Sequence, residues 1–174
     1  MRMAGLSLVL FMLVCGGMRA QEPGLDSIRK MYLACSGNSS AVEKLYGLLS
    51  GRKDHLNPVE TAYEGSVRAM MAREVFLPTS KYRYFSEGRD LIEKAIIEDP
   101  GNLEIRFLRL MVQSQLPAFL GYNNMKEDKV LLFNSFTQLN KENIPVFVHT
   151  MIRILIQSDV YSPQEKEALS KRLH

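Results

Sequence analysis

The stretch from Phe85 to Pro117 limits the possible folds more than any other, because it contains two amphipathic segments joined by a tight turn. In the first segment, small and apolar residues recur at the three- and four-residue spacing that forms one face of a helix: Phe85, Gly88, Ile92, Ala95 and Ile96. The turn Asp99 to Asn102 ends this helix, because proline cannot continue it and glycine and asparagine accept turn dihedrals. The stretch therefore predicts a helical hairpin, with Asn102 capping its second helix.

The rest of the chain shows helical signals of the same kind. Cap signals mark three further helix starts: Ser40 with Glu43, Asn57 with Pro58 and Glu60, and Ser162 with Pro163 and Glu165. The apolar run from Val146 to Gln157 is compatible with a buried strand, but we favour a helix because Pro145 suits a first turn and the neighbouring segments are helical. We therefore predict an all-α domain over residues 21–174, with about seven helices in antiparallel hairpins.

The hairpin resembles the second half of a tetratricopeptide repeat over residues 84–116. The resemblance rests on Gly88, on Ile92 four residues later, on Ala95, and on Pro100 twelve residues after Gly88. It is a degenerate copy, because Ala72, Val75, Phe76 and Thr79 occupy the signature positions of the first half. The resemblance implies a right-handed, tetratricopeptide-like array whose concave surface binds proteins or peptides. The chain also resembles uncharacterised small secreted helical proteins of Bacteroidota-type bacteria.

Residues 1–20 have the pattern of a cleaved secretory signal. Arg2 precedes an apolar run from Leu6 to Val14, and Cys15, Gly16 and Gly17 then lead through Met18 and Arg19 to Ala20. The run is too short to cross a hydrocarbon core of about 30 Å. We therefore expect an exported protein, periplasmic or secreted, that begins near Gln21 and has no integral membrane segment after cleavage. A lipid anchor on Cys15 is the alternative.

The charge balance and the cysteine content argue against a nucleic-acid-binding protein and against a disulfide-stabilised one. Removing residues 1–20 takes away Arg2 and Arg19 and leaves 20 basic against 19 acidic residues, a net charge of +1. Because no clustered basic face remains, we expect no nucleic-acid partner. The mature chain keeps Cys35 alone, so we expect no disulfide and a small buried thiol.

No constellation for catalysis or metal binding is apparent. The three histidines, His55, His149 and His174, lack metal-ligand spacing, and no glycine-rich phosphate loop or nucleophile elbow follows the leader. We therefore expect a protein that is not an enzyme and needs no cofactor. The alternative is an enzyme or small-ligand carrier with a pocket between helices, in which His149 takes part.

The candidate binding residues are Arg106, Arg109, Gln113 and Tyr122. The first three share a narrow polar strip on the second helix of the hairpin, between two apolar stripes, and Tyr122 lies in a following loop that borders the same region. A helix with so narrow a polar strip is typically central in its bundle. The two arginines either form internal ion pairs with Glu60, Glu64 or Glu87, or line a groove facing a partner. We expect Arg106 to be the more structural of the two and Arg109 the better candidate for contact with a protein or peptide.

Overall fold

A computed structural model describes residues 23–52, 56–117, 120–122 and 125–173. The described residues form eight α-helices and one short 3-10 helix, and they contain no strand. The helices are α1 Leu25–Leu33, α2 Ser39–Ser50, α3 Pro58–Glu74, α4 Pro78–Glu98, α5 Leu103–Gln113, α6 Met125–Thr137, α7 Val146–Gln157 and α8 Pro163–Ser170, with the 3-10 turn at Lys141–Asn143. The all-α prediction is confirmed, and α7 is a helix as expected. The predicted leader, residues 1–20, lies outside the described residues.

Three helix starts follow the predicted cap signals. Asn57 and Ser162 form complete capping boxes, and the side chain of Asn102 accepts from two backbone N–H groups at the start of α5. The predicted capping pair of Ser40 and Glu43 is wrong. Asn38 caps α2 instead, because its side-chain oxygen accepts from the backbone N–H of Ala41.

Helices α3 and α4 pack backbone against backbone at a pair of glycines. A Cβ atom placed on Gly65 would lie 2.6 Å from the carbonyl oxygen of Gly88, and one on Gly88 would lie 2.5 Å from that of Gly65. Neither distance is tolerable for carbon against backbone. The close approach explains a glycine in the interior of each helix, and it makes α3 the main packing partner of α4, ahead of α5.

Helix α5 lies at the centre of the molecule, as its sequence predicts. Every residue of α5 after Leu103 is buried, including its charged residues. It packs on α3 on one side and α6 on the other. Its central place means that each polar side chain on α5 must find its partners inside the protein.

Cys35 is buried just beyond α1, where its thiol donates to the carbonyl oxygen of Met31 at 3.3 Å. Among the described residues, no helix is both long enough and apolar enough to cross a lipid bilayer.

Candidate functional site

The polar strip on α5 lies against the start of α6, where the carboxylate of Asp128 accepts hydrogen bonds from Arg106 and Arg109. Arg109 donates to the two carboxylate oxygens of Asp128, from Nε at 2.5 Å and from Nη2 at 2.7 Å. Arg106 donates from Nη1 to Asp128 at 3.0 Å and to Glu127 at 2.7 Å. The forked arrangement on Asp128 is the geometry in which arginine binds a carboxylate most strongly.

Tyr122 completes this cluster from the other side. Its hydroxyl donates to Oε1 of Glu93 on α4 at 2.7 Å, and Nη1 of Arg109 donates to the same carboxylate at 3.1 and 3.2 Å. The structure thus brings together three of the four predicted residues, on α5 and in the loop that follows. We call this set of five charged residues and Tyr122 the Asp128 cluster: Glu93, Arg106, Arg109, Tyr122, Glu127 and Asp128.

In the Asp128 cluster the charged side chains pair with one another. Burial opposes the charge on Arg109, but its hydrogen bonds to Asp128 and the attraction of Asp128 and Glu93 outweigh that penalty and raise its pKa. Burial, with the neighbouring Glu93 carboxylate, also raises the pKa of Tyr122, which stays protonated. Each arginine forms ion pairs with carboxylates of the same chain, so the cluster links α4, α5 and α6.

Two expectations about these arginines are wrong. Their partners are Glu93, Glu127 and Asp128, whereas the predicted partners bind elsewhere: Glu60 pairs with Arg52, and Glu64 and Glu87 pair with Arg68. Arg109 is also the more buried arginine, 2% exposed against 8% for Arg106. It faces the interior where α4 and α6 meet α5, so it is not the residue that a partner can reach.

Gln113, the fourth predicted residue, has a different environment. It is 2% exposed, and neither its amide nitrogen nor its amide oxygen has a hydrogen-bond partner within the described part of the chain. It is not joined to the Asp128 cluster by a hydrogen bond. Leaving such a group unpaired costs about 1–3 kcal/mol.

Sequence reasoning missed a second buried cluster, which lies at the first turn of α5. Glu104 accepts two hydrogen bonds from Arg29, at 2.6 and 2.9 Å, and one from the Tyr63 hydroxyl at 2.8 Å. Burial and the negative charge of Glu104 raise the pKa of Tyr63. The available signal was a glutamate in the first turn of a helix that is otherwise apolar on both flanks. This cluster fastens α1 and α3 to α5.

An apolar cavity of about 560 Å³ opens between the end of α3, the first half of α4 and the end of α5. We call it the first cavity. Its apolar lining includes Ala69, Met70, Ala72, Phe85, Met111, Val112, Leu116 and Leu120. The charged groups among its described lining residues are Arg73 and Lys81, both cationic. Neither lies within ion-pair distance of a carboxylate in the described part of the chain, and Arg73 instead donates to the amide oxygen of Gln115 at 2.6 Å.

Exposed apolar side chains extend this surface beyond the first cavity. Phe76 is 94% exposed and Leu77 is 60% exposed in the segment between α3 and α4, and Tyr82, which lines the cavity, is 61% exposed. Large apolar side chains that solvent reaches so freely contribute nothing to the core. Phe76 and Leu77 directly precede Pro78, a residue that lines the first cavity, and Tyr82 lines it as well, so exposed apolar side chains adjoin an apolar cavity, which is typical of a binding site.

A second cavity, of about 840 Å³, adjoins the first. It lies among the α1–α2 connection, the end of α3, the end of α5 and the segment after α7, and its lining is more polar. Five residues line both cavities: Tyr32, Met70, Arg73, Met111 and Gln115. Neither cavity is lined by Arg106, Arg109, Gln113 or Tyr122, so the predicted residues and the cavities are separate features.

Neither a metal site nor a histidine-centred catalytic site is apparent in the described part of the chain. Within the described ranges, no group of three or more histidine, cysteine, aspartate or glutamate side chains is placed to hold a metal ion. His149 is half-buried on α7 and lines neither cavity. His55 and His174 lie outside the described residues.

Comparisons with known proteins add nothing to this geometry. No family model, no curated protein and no solved structure matches the chain. The two adjoining cavities are therefore the main structural indication of function.

Proposed function

We propose that this protein is a non-catalytic binding module that holds a segment of a protein or peptide partner in the first cavity. The observation that carries the proposal is the apolar cavity between α3, α4 and α5, with Phe76 and Leu77 exposed beside it. Burying apolar surface is the main source of affinity in such interfaces, at roughly 25 cal/mol per Å² before the costs of association.

The exposed residues favour a macromolecular partner over a small molecule. A small ligand is enclosed by its pocket, so apolar side chains outside the pocket gain nothing when it binds. Phe76 and Leu77 lie between two helices, and Phe76 is almost fully exposed. A partner large enough to fill the first cavity and cover these two side chains explains both features.

The alternative is a small-ligand carrier, and the cavity volume is the observation in its favour. About 560 Å³ falls in the range of small-molecule sites, which are mostly apolar with a few polar groups. An enzyme is the less supported form of this alternative, because His149 lines neither cavity. The two classes differ in what happens at Phe76 and Leu77, which only a larger partner covers.

Two further features belong to the proposal. The helical hairpins are arranged as a right-handed, tetratricopeptide-like array, for which the close contact of α3 with α4 and the turn before α5 give support. The protein is exported, periplasmic or secreted, on the evidence of residues 1–20. Mass spectrometry of the exported form should find a chain that begins near Gln21. A diacylglyceryl group on an N-terminal Cys15 would overturn that assignment in favour of a lipid anchor.

The binding proposal is tested with a library of short random peptides and three variants. Ala72→Phe fills the first cavity, the double variant Phe76→Ser with Leu77→Ser removes the exposed apolar surface, and Ile97→Ser is the matched control. Ile97 is 80% exposed on α4 but lines neither cavity. The native protein and Ile97→Ser should enrich the same apolar-containing peptides, and the other two variants should lose them while keeping the native melting temperature.

The opposite result is equally clear. If no peptide is enriched, and native mass spectrometry finds a small molecule bound one-to-one after incubation with a mixture of lipids and metabolites, the carrier alternative replaces the proposal. Loss of that small molecule in Ala72→Phe, but not in the double variant, would place it inside the first cavity alone.

A further inference from the structure

Arg73 lies on the wall that the two cavities share. It comes from the last turn of α3, and its Nη2 donates to Oε1 of Gln115, which follows α5. Both side chains line both cavities. The hydrogen bond between them therefore runs along the boundary between an apolar cavity and a more polar one.

We propose that the partner segment carries a carboxylate next to a bulky apolar side chain, and that Arg73 binds this carboxylate in place of Gln115. This inference rests on the proposed function and adds the chemistry of the partner. The apolar side chain enters the first cavity, and the carboxylate lies at the shared wall. The segment then continues into the second cavity.

The charges of the first cavity support an acidic group on the partner, whereas the second cavity has the carboxylates of Glu74 and Asp159 in its lining, so the partner's carboxylate belongs on the first-cavity side of the shared wall. Arg73 and Lys81 are the charged groups that line the first cavity, and both are cations without a carboxylate partner in the described part of the chain. Arg106 and Arg109, by contrast, each bind carboxylates of this chain. The Gln115 amide oxygen is a neutral acceptor, and a carboxylate forms a shorter and stronger bond with a guanidinium. Exchange of Gln115 for a carboxylate is therefore favourable.

The second cavity favours a peptide over a fatty acid as the source of that carboxylate. A fatty acid needs one apolar cavity and a cation, which the first cavity and Arg73 already supply. A peptide also has backbone N–H and C=O groups that must be paired when they leave water. The second cavity offers polar side chains for this purpose, among them Ser36, Asn38 and Gln157. The adjoining cavities together suit an extended peptide.

The test uses three sets of synthetic peptides that share one Leu-Phe pair and differ in the residue after it. That residue is glutamate in the first set, glutamine in the second and lysine in the third, and affinity is measured by fluorescence anisotropy. The native protein should bind the glutamate peptides about fivefold more tightly than the glutamine peptides, the upper end for an ion pair at a solvent-exposed arginine. The lysine peptides should bind more weakly still.

Variants assign this preference to Arg73. Arg73→Gln should bring the glutamate and glutamine peptides to within about twofold of each other, and Arg73→Lys should keep part of the preference because it keeps the charge. Arg153→Gln is the matched control, since Arg153 is exposed on α7 and lines neither cavity. Melting curves of all three variants should match the native curve, because the Arg73–Gln115 bond is solvent-exposed.

Each contrary outcome has a distinct meaning. Equal affinity of the native protein for the glutamate and glutamine peptides overturns the role of Arg73. If Ala72→Phe binds neither set of peptides in that case, the proposed function is still supported. If Arg73→Gln and Arg153→Gln lose the preference for glutamate peptides equally, the preference is a general charge effect, and the role of Arg73 is overturned. If no peptide binds and oleate binds with a dependence on Arg73, both the inference and the proposed function fail, and the carrier alternative is correct.

Discussion

Arg109 and Asp128 form an ion pair that solvent does not reach, with the two side chains 2% and 0% exposed and two hydrogen bonds between them. Such a pair contributes little net stability compared with apolar residues of the same size, but removing one member leaves a buried charge without a partner. The pair therefore makes both residues necessary without making either of them a binding site.

Arg109→Gln should lower the free energy of unfolding by about 3–5 kcal/mol, because Asp128 then stays buried with its main partner gone. Urea denaturation followed by circular dichroism measures the loss. The control is Glu127→Gln, whose side chain is 61% exposed and which should lose less than about 1 kcal/mol. A loss in Arg109→Gln as small as that of the control would show that Arg109 is accessible to water and that its burial is wrong.

Gly65→Ala and Gly88→Ala should each destabilise the protein by at least about 3 kcal/mol, above the usual cost of overpacking, because backbone atoms face the new methyl group and cannot rotate away. Gly47→Ala is the matched control. Gly47 lies inside α2, and a Cβ there meets nothing within 4 Å. Its replacement should raise stability by about 0.5–1 kcal/mol, since alanine is the better helix former. Thermal melts of the three variants should therefore shift in opposite directions, and a stabilised Gly88→Ala would contradict the contact of α3 with α4.

Stability should fall as the pH rises above about 10, the ordinary pKa of tyrosine. Burial is the main cause that raises the pKa of Tyr32, Tyr63, Tyr122 and Tyr161 in the folded protein. In the unfolded chain these hydroxyls lose their protons near pH 10, whereas in the folded protein they keep them. The unfolded state then binds fewer protons, so the tyrosines favour folding fully below that pH and progressively less above it.

The measurement is an alkaline titration in which tyrosinate absorbance and helical circular dichroism are recorded together. These four tyrosines should ionise only as the helices unfold, and the same titration in concentrated urea should show one transition near pH 10. Complete ionisation with the helical signal intact would show that the tyrosines are not buried as described.

Cys35 should react slowly with thiol reagents in the folded protein. Burial raises the pKa of its thiol, and the thiolate is the reactive form. A chain that begins at Gln21 contains Cys35 as its one cysteine, so the label reports on a single site. Labelling at neutral pH should be at least about tenfold faster in urea than in buffer, and equal rates would contradict its burial.

The sequence was informative where the signal is local and uninformative where it depends on which helices meet. The caps at Asn57 and Ser162 involve residues within one turn of each other, so their spacing alone predicts them. The polar strip on α5 was also predictable, because helical periodicity tells which side chains share a face. Periodicity does not tell which helix lies opposite that face.

The same reason explains why the partners predicted for Arg106 and Arg109 are wrong and why the cavities were not predicted. Glu60, Glu64 and Glu87 were plausible partners for Arg106 and Arg109 by charge, but α6 and α4 supply Asp128 and Glu93 instead. The cavities arise between elements far apart in the chain, and no single stretch predicts them. The apolar residues Val75 to Leu77 were the one local signal, since an apolar run that joins two helices has no place in the core.

The Asp128 cluster also determines whether the chain can be divided. Its carboxylate from α6 meets arginines from α5, so a fragment that stops at Pro117 would keep Arg106 and Arg109 and lose Asp128 and Glu127. A fragment that starts at Met125 would keep the acids without their cations. Neither fragment contains the partners of these buried charges, so the protein should fold as one cooperative unit. Expressed separately, α1–α5 and α6–α8 should be insoluble, and they should become soluble when they are produced together.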